Sequence, residues 1–122
     1  MLLVAGISGQ PNESPMVANE AIARVAMQTL ASAQTTYQST EGAGRYGTLE
    51  ELTKAGLISK ELLQNSAYKI ELIVSNTHFE ISAVPREYGK TGKRSLFLDE
   101  SFVMRAGDHG GGAATISDKP IQ

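Results

Sequence analysis

The chain has 122 residues, with 11 Lys and Arg against 13 Asp and Glu, 41% hydrophobic and 6% aromatic residues, no Trp and no Cys. That length supports one domain with a modest core rather than two. The net charge of −2 argues against a basic nucleic-acid-binding stripe, and the absence of Cys excludes thiol catalysis, Fe–S clusters and Cys-type zinc sites.

Residues 1–7 (MLLVAGI) are apolar. A membrane span needs about 20 such residues, and a signal peptide needs a basic segment ahead of its apolar run. With the polar, proline-containing stretch that follows, residues 1–15 read as a flexible arm or a leader remnant.

From Pro15 to Glu41 the apolar positions recur at helical spacing. Ala18, Ile22, Val25, Ala26, Thr29, Leu30, Ala33 and Tyr37 are expected on one face. Glu20, Arg24, Gln28, Gln34, Thr35 and Gln38 are expected on the other. Pro15 suits a helix start and Gly42 a stop. The small residues of the apolar face suit close packing against a sheet. Residues 42–47 read as a loop. Thr48 and Glu51 then have the spacing of a capping box, which predicts a short helix over residues 49–55 ended by Gly56. Ser59 is expected to cap one more turn through Leu63. Leu49, Leu52, Leu57, Ile58 and Leu62 are the expected anchors of this segment.

After Asn65 the period changes to two. Residues 68–74 and 78–84 alternate as two strands around a turn at 75–77, and Pro85 ends the second. Residues 86–94 form a polar loop. Residues 95–98 and 102–105 are expected to make a second hairpin across 99–101. Residues 107–122 lack periodicity and read as a Gly-rich tail. The fold class is therefore α+β, with a long N-terminal helix packed on a three- to four-stranded antiparallel sheet across residues 16–106.

No catalytic site is expected. Gly89-Lys90-Thr91 hints at a phosphate loop, but Val84 stands where the motif needs Gly, and a strand rather than a helix is expected to follow. His78 reads as an ordinary strand residue and His109 as part of the tail. No HExxH and no GxSxG occurs. Asp99, Glu100 and Asp108 carry two readings: a solvated acidic turn, or weak calcium ligands without EF-hand spacing. No other cofactor is expected. Arg86, Lys90, Lys93 and Arg94 read as a loop kept polar, with Tyr88 as its contact residue.

Several strings converge on one family. They are NEAIA at 19–23 leading to LASAQTTY at 30–37, then GRYGTLEEL at 44–52 with AGLI at 55–58, and finally AVP at 83–85 followed by KTGKRSLFLDES at 90–101. In their order and spacing they resemble the globular region of bacterial type IV pilins and the related type II secretion pseudopilins, over roughly residues 16–106. Pilins normally begin with a basic leader, a cleavage Gly, an N-methylated aromatic residue and a long apolar helix, and this sequence has none of these. The resemblance implies a structural subunit of a surface or extracellular filament, facing the periplasm before assembly. Its partners would be other pilin subunits and, if the pilin is split, a short polypeptide carrying the apolar helix. A removed helix is the other explanation. The resemblance also leaves open a pseudopilin and a pilin-like adhesive module. Expected interface residues are Met16, Asn19, Glu20 and Arg24 at the helix start, Tyr46 and Leu57 in the connecting segment, and Arg86, Tyr88, Lys90 and Lys93 in the basic loop.

Overall fold

The computed structural model describes residues 14–121. Most of the expected N-terminal arm, residues 1–13, lies outside the described residues. Helix α1 spans Ser14–Ser39, α2 spans Leu49–Lys54, and a 3-10 helix spans Lys60–Leu63. The strands are β1 (Tyr68–Val74), β2 (Phe79–Pro85), β3 (Arg94–Asp99), β4 (Arg105–Asp108) and β5 (Lys119–Pro120). They pair in sequence order as one antiparallel meander. The α+β architecture is as expected, and the sheet has a fifth strand.

Pro15 sits in the first turn of α1, where backbone N–H groups have no intrahelical partner, so it interrupts nothing. The helix lies on one sheet face through Ala23, Ala26, Met27, Leu30, Ala31, Ala33 and Tyr37, packed with Leu52, Tyr68, Phe79, Ile81, Leu96 and Leu98. This face is rotated from the expected one. Ala18, Ile22, Val25 and Thr29 point to solvent, while Gln34 is fully buried. Two apolar stripes run along α1, and the rotation is fixed by polar partners that periodicity does not register. Glu20 takes both Nε and Nη2 of Arg94 on β3, at 3.1 and 2.6 Å. Gln34 exchanges two hydrogen bonds with the buried Gly47: its Nε2 donates to the carbonyl at 2.7 Å and its Oε1 accepts the N–H at 2.8 Å. A buried amide so satisfied behaves as one more backbone pair and ties the loop to the helix.

The capping box forms as expected, with Thr48 Oγ1 accepting from Glu51 N and Glu51 Oε1 accepting from Thr48 N. Gly56 follows α2 with φ +76, the left-handed conformation that turns the chain after a helix. Ser59 precedes the 3-10 helix without a side-chain capping bond. Leu49 is exposed, Leu57 and Leu62 are half-buried, and only Leu52 and Ile58 reach the core.

The largest departure lies after Met104. Residues 102–104 are not strand; β4 begins at Arg105, and its partner β5 comes from the expected tail. Ser95 and Phe97, on the sheet face away from α1, are buried although the main core lies on the other side. The segment between β4 and β5 covers them. Ser95 Oγ donates to Gly112 O at 2.5 Å, and Ala114 is buried. Asp118 closes this segment by accepting from Thr115 N at 2.8 Å and pairing with His109 Nε2 at 2.9 Å. Glycines and side-chain-to-backbone bonds carry no hydrophobic period, so such a strap reads as a tail in sequence.

Candidate interaction surface

The rotation of α1 leaves a second apolar row outside. Val17, Ala21 and Val25 succeed one another at four-residue steps, with Ala18 and Ile22 beside them. Val17, Ile22 and Val25 are 65%, 59% and 61% exposed. The row continues through Thr29, Ser32 and Thr36 without a charged residue. Scattered apolar residues on a surface are ordinary, but a contiguous apolar row marks an interaction surface. Between this row and the 3-10 segment runs a groove of about 490 Å3, lined by Ala21, Ile22, Val25 and Ala26 on one wall and by Leu62 and Asn65 on the other.

Of the expected contact residues at the helix start, Met16 is half-buried and, with its exposed neighbour Val17, lines a shallow depression beside Lys93. Asn19 and Glu20 are not free for a partner. Asn19 Nδ2 donates to Thr91 O at 3.0 Å, and Glu20 holds Arg94. Both pin the start of α1 to the sheet and to the basic loop. Arg24 is half-buried. Tyr46 packs edge-on against Phe79, with ring centroids 4.9 Å apart, and Leu57 packs against the core. These two serve the interior more than a surface.

The basic loop is ordered from within. Glu87 N donates to Thr91 Oγ1, Gly89 N to Gly92 O, and Lys90 N and Thr91 N to Glu87 O. Gly92 lies against the ring of Tyr68, where a Cβ would collide with the ring and its hydroxyl. The Tyr68 hydroxyl donates to Arg94 O at 2.8 Å, and burial pushes its pKa up to about 12. Arg86 is exposed, and its Nε donates to Asn65 O at 2.7 Å. Lys90 and Lys93 are exposed. Tyr88 donates its hydroxyl to the Asp108 carboxylate at 2.7 Å, a bond that lowers the Asp108 pKa.

The three candidate calcium ligands are not brought together. Asp99 ends β3 and accepts from Ser101 N and Oγ. Asp108, on β4, lies opposite Arg94 in the strand register, at the other end of β3. Glu100 accepts from Phe79 N at 3.2 Å and pairs with His78 Nδ1 at 2.8 Å. Among the described residues, no group of three His, Cys, Asp or Glu side chains is placed to hold a metal ion.

Sequence reading missed the clasp that occupies Glu100. His78 lies between two carboxylates, Glu100 on Nδ1 and Glu80 on Nε2 at 3.0 Å. The bond to Glu100 first, and then that to Glu80, raise the His78 pKa to about 8. Desolvation works to raise Glu100, but His78 and the Phe79 N–H outweigh it and hold the carboxyl below its ordinary range. The spacing of His78 and Glu80 on one strand face was a visible hint; Glu100, 22 residues away, was not. The turn that carries Glu100 also holds Phe102 at φ +62, a residue 48% exposed.

No helix among the described residues is long and apolar enough to cross a membrane. No family model, no curated protein and no solved structure matches this chain.

Proposed function

We propose that this chain is a pilin-like structural subunit, the globular outer part of a type IV pilus filament, which assembles with other subunits and with an apolar helix. The observation that carries this reading is the uncharged row on the outer side of α1, with Val17, Ile22 and Val25 each well over half exposed. A contiguous apolar row on the second side of a helix already packed on a sheet is a surface that a partner can cover. The start of α1 is held to β3 and to the basic loop by Glu20 and Asn19. Met16 and Val17 therefore stand at a fixed place where another helix can abut or continue α1. The work is assembly without turnover, at the cell surface after passage through the periplasm.

The test is the composition of filaments sheared from the source cells, by mass spectrometry and cryo-electron microscopy. The chain is expected in stoichiometric amount with α1 facing inward. Its absence from surface filaments refutes the filament role and leaves a secretion pseudopilin or a binding module as the better account.

A further inference from the structure

The turn after β3 is held in an unfavourable conformation from two directions. Phe102 has φ +62, which a residue with a Cβ keeps only where its surroundings impose it. From within the turn, Phe102 N donates to Asp99 O at 3.0 Å, Ser101 Oγ to Asp99 Oδ1 at 2.6 Å, and Val103 N to Ser101 Oγ at 3.1 Å. From outside, the Glu100 carboxylate ties the turn to the β1–β2 hairpin. It accepts Phe79 N at 3.2 Å and meets His78 Nδ1 at 2.8 Å. Asp99 and Glu100 are engaged in these separate bonds and do not converge on a common point.

The geometry at His78 requires a proton. Its second nitrogen, Nε2, lies 3.0 Å from the Glu80 carboxylate, so both ring nitrogens face carboxylate oxygens. An ionised carboxylate only accepts, and a neutral imidazole has a single N–H. The imidazolium alone makes both bonds. When it becomes neutral, one nitrogen turns a lone pair toward a carboxylate, and that contact opens. The surrounding charges do not replace the one that is lost. Asp99 on β3 stands opposite Glu80 in the register. On β1, Glu71 stands opposite Ser82 and is paired with Lys69. On β4, Arg105 stands opposite Phe97 and its Nη1 donates to Asp118 O. Arg45 comes from the loop before α2, whose Tyr46 N donates to Asn76 O, and its charge acts on Glu51. Deprotonation therefore leaves Glu100, and Glu80 with Asp99 opposite it, beside an uncharged ring. Releasing Glu80 relieves this repulsion alone. Releasing Glu100 also lets Phe102 leave the left-handed region, so the turn is the side that gives.

We infer that His78 is a proton-operated latch: its imidazolium holds the turn of residues 99–103 against the β1–β2 hairpin with Phe102 left-handed, and loss of the proton lets the turn open and the half-exposed phenyl ring leave its fixed place. The latch works within one chain and does not rest on the filament reading. The two carboxylate bonds, Glu100 first, push the His78 pKa from 6.5 up to about 8. The latch is therefore closed below about pH 6.5 and opens as pH rises through 8. The ceiling set by that shift is about 30-fold in the opening equilibrium. The three side chains are between 36% and 42% exposed, and solvent screening lowers the effect to roughly several-fold.

The full chain is tested by carbon NMR across the His78 titration. The imidazole ring reports the proton, and the Cα and Cβ shifts of Ser101, Phe102 and Val103 report the backbone of the turn. In the parent these shifts are expected to move with the same midpoint as the ring, as the open population rises several-fold. In His78→Gln, which has no proton to lose, they are expected to stay constant over the same range. Phe102→Gly is the second variant, because Gly adopts φ > 0 freely. With the strain removed, its ring should still titrate while Ser101 and Val103 move less than in the parent. The inference is overturned if the turn carbons of the parent stay constant while His78 titrates, if they move equally in His78→Gln, or if the Phe102→Gly turn opens as readily as the parent's. None of these results alters the filament composition that decides the broader reading.

Discussion

Replacing Gln34 by Leu removes the one side chain that satisfies both polar groups of Gly47. Gly47 is itself buried, so its N–H and C=O would lose partners at 2.8 and 2.7 Å with no water to replace them. Each orphaned group costs about 1–3 kcal/mol, and the added burial of Leu returns roughly 1.5–3 kcal/mol. The net loss is about 2 kcal/mol, a large fraction of the roughly 5–15 kcal/mol that holds a domain together. It corresponds to a melting temperature lower by roughly 6–10 °C, read by calorimetry or urea denaturation. Gln34→Glu supplies the control. A buried carboxylate facing the Gly47 carbonyl is repelled, whereas a protonated one donates to it. Its folded-state pKa is thereby raised, so the stability it contributes is present in acid and lost as pH rises through that value. The deficit of this variant should shrink toward pH 4. A Leu variant within about 0.5 kcal/mol of the parent would refute the role assigned to Gln34.

The His78 clasp predicts a pH dependence. With a folded-state pKa of about 8 against 6.5 unperturbed, its contribution is fully present below about pH 6.5 and lost as pH rises through 8. The melting temperature of the parent should fall across this window relative to that of His78→Gln, and a constant difference between the two would contradict the clasp. Gly92→Ala puts a methyl group onto the Tyr68 ring and should cost about 1–3 kcal/mol; chemical denaturation showing no loss would mean the ring moves freely. Thr48→Ala should cost about 1 kcal/mol by opening the capping box. In hydrogen exchange that loss should be concentrated in α2, and uniform loosening of the sheet would count against it.

Features governed by period or local chemistry were legible in the sequence. The alternation of residues 68–74 gives β1 at the expected residues, and the spacing of Thr48 and Glu51 gives the capping box. What escaped depends on partners remote in the chain. Glu20 and Arg94 are 74 residues apart, and their pairing turns α1 so that Ala23 and Met27 face the sheet and Ile22 and Val25 face out. Gln34 counts as polar in any periodic reading, because its hydrogen bonds to Gly47 exist only after the loop has folded back. For the candidate surface, the chain reading named the basic loop together with Tyr46 and Leu57, which are half-buried with one side against the core. The outer row of α1 was visible as residues and assigned to the wrong side. Phe102 was expected within a strand, and its turn is set by Asp99 and Ser101 side chains instead.

The two margins of the meander bear on how such subunits meet. At one margin β5 offers only Lys119 and Pro120, a cation and a residue without an N–H, both of which discourage an incoming strand. At the other, β1 exposes Lys69 and Glu71, and the amides of its first residue Tyr68 and of Ala67 before it are taken by the Asn65 side chain. Such borders discourage a neighbouring copy from extending the sheet, which works against cross-β pairing where copies are crowded together.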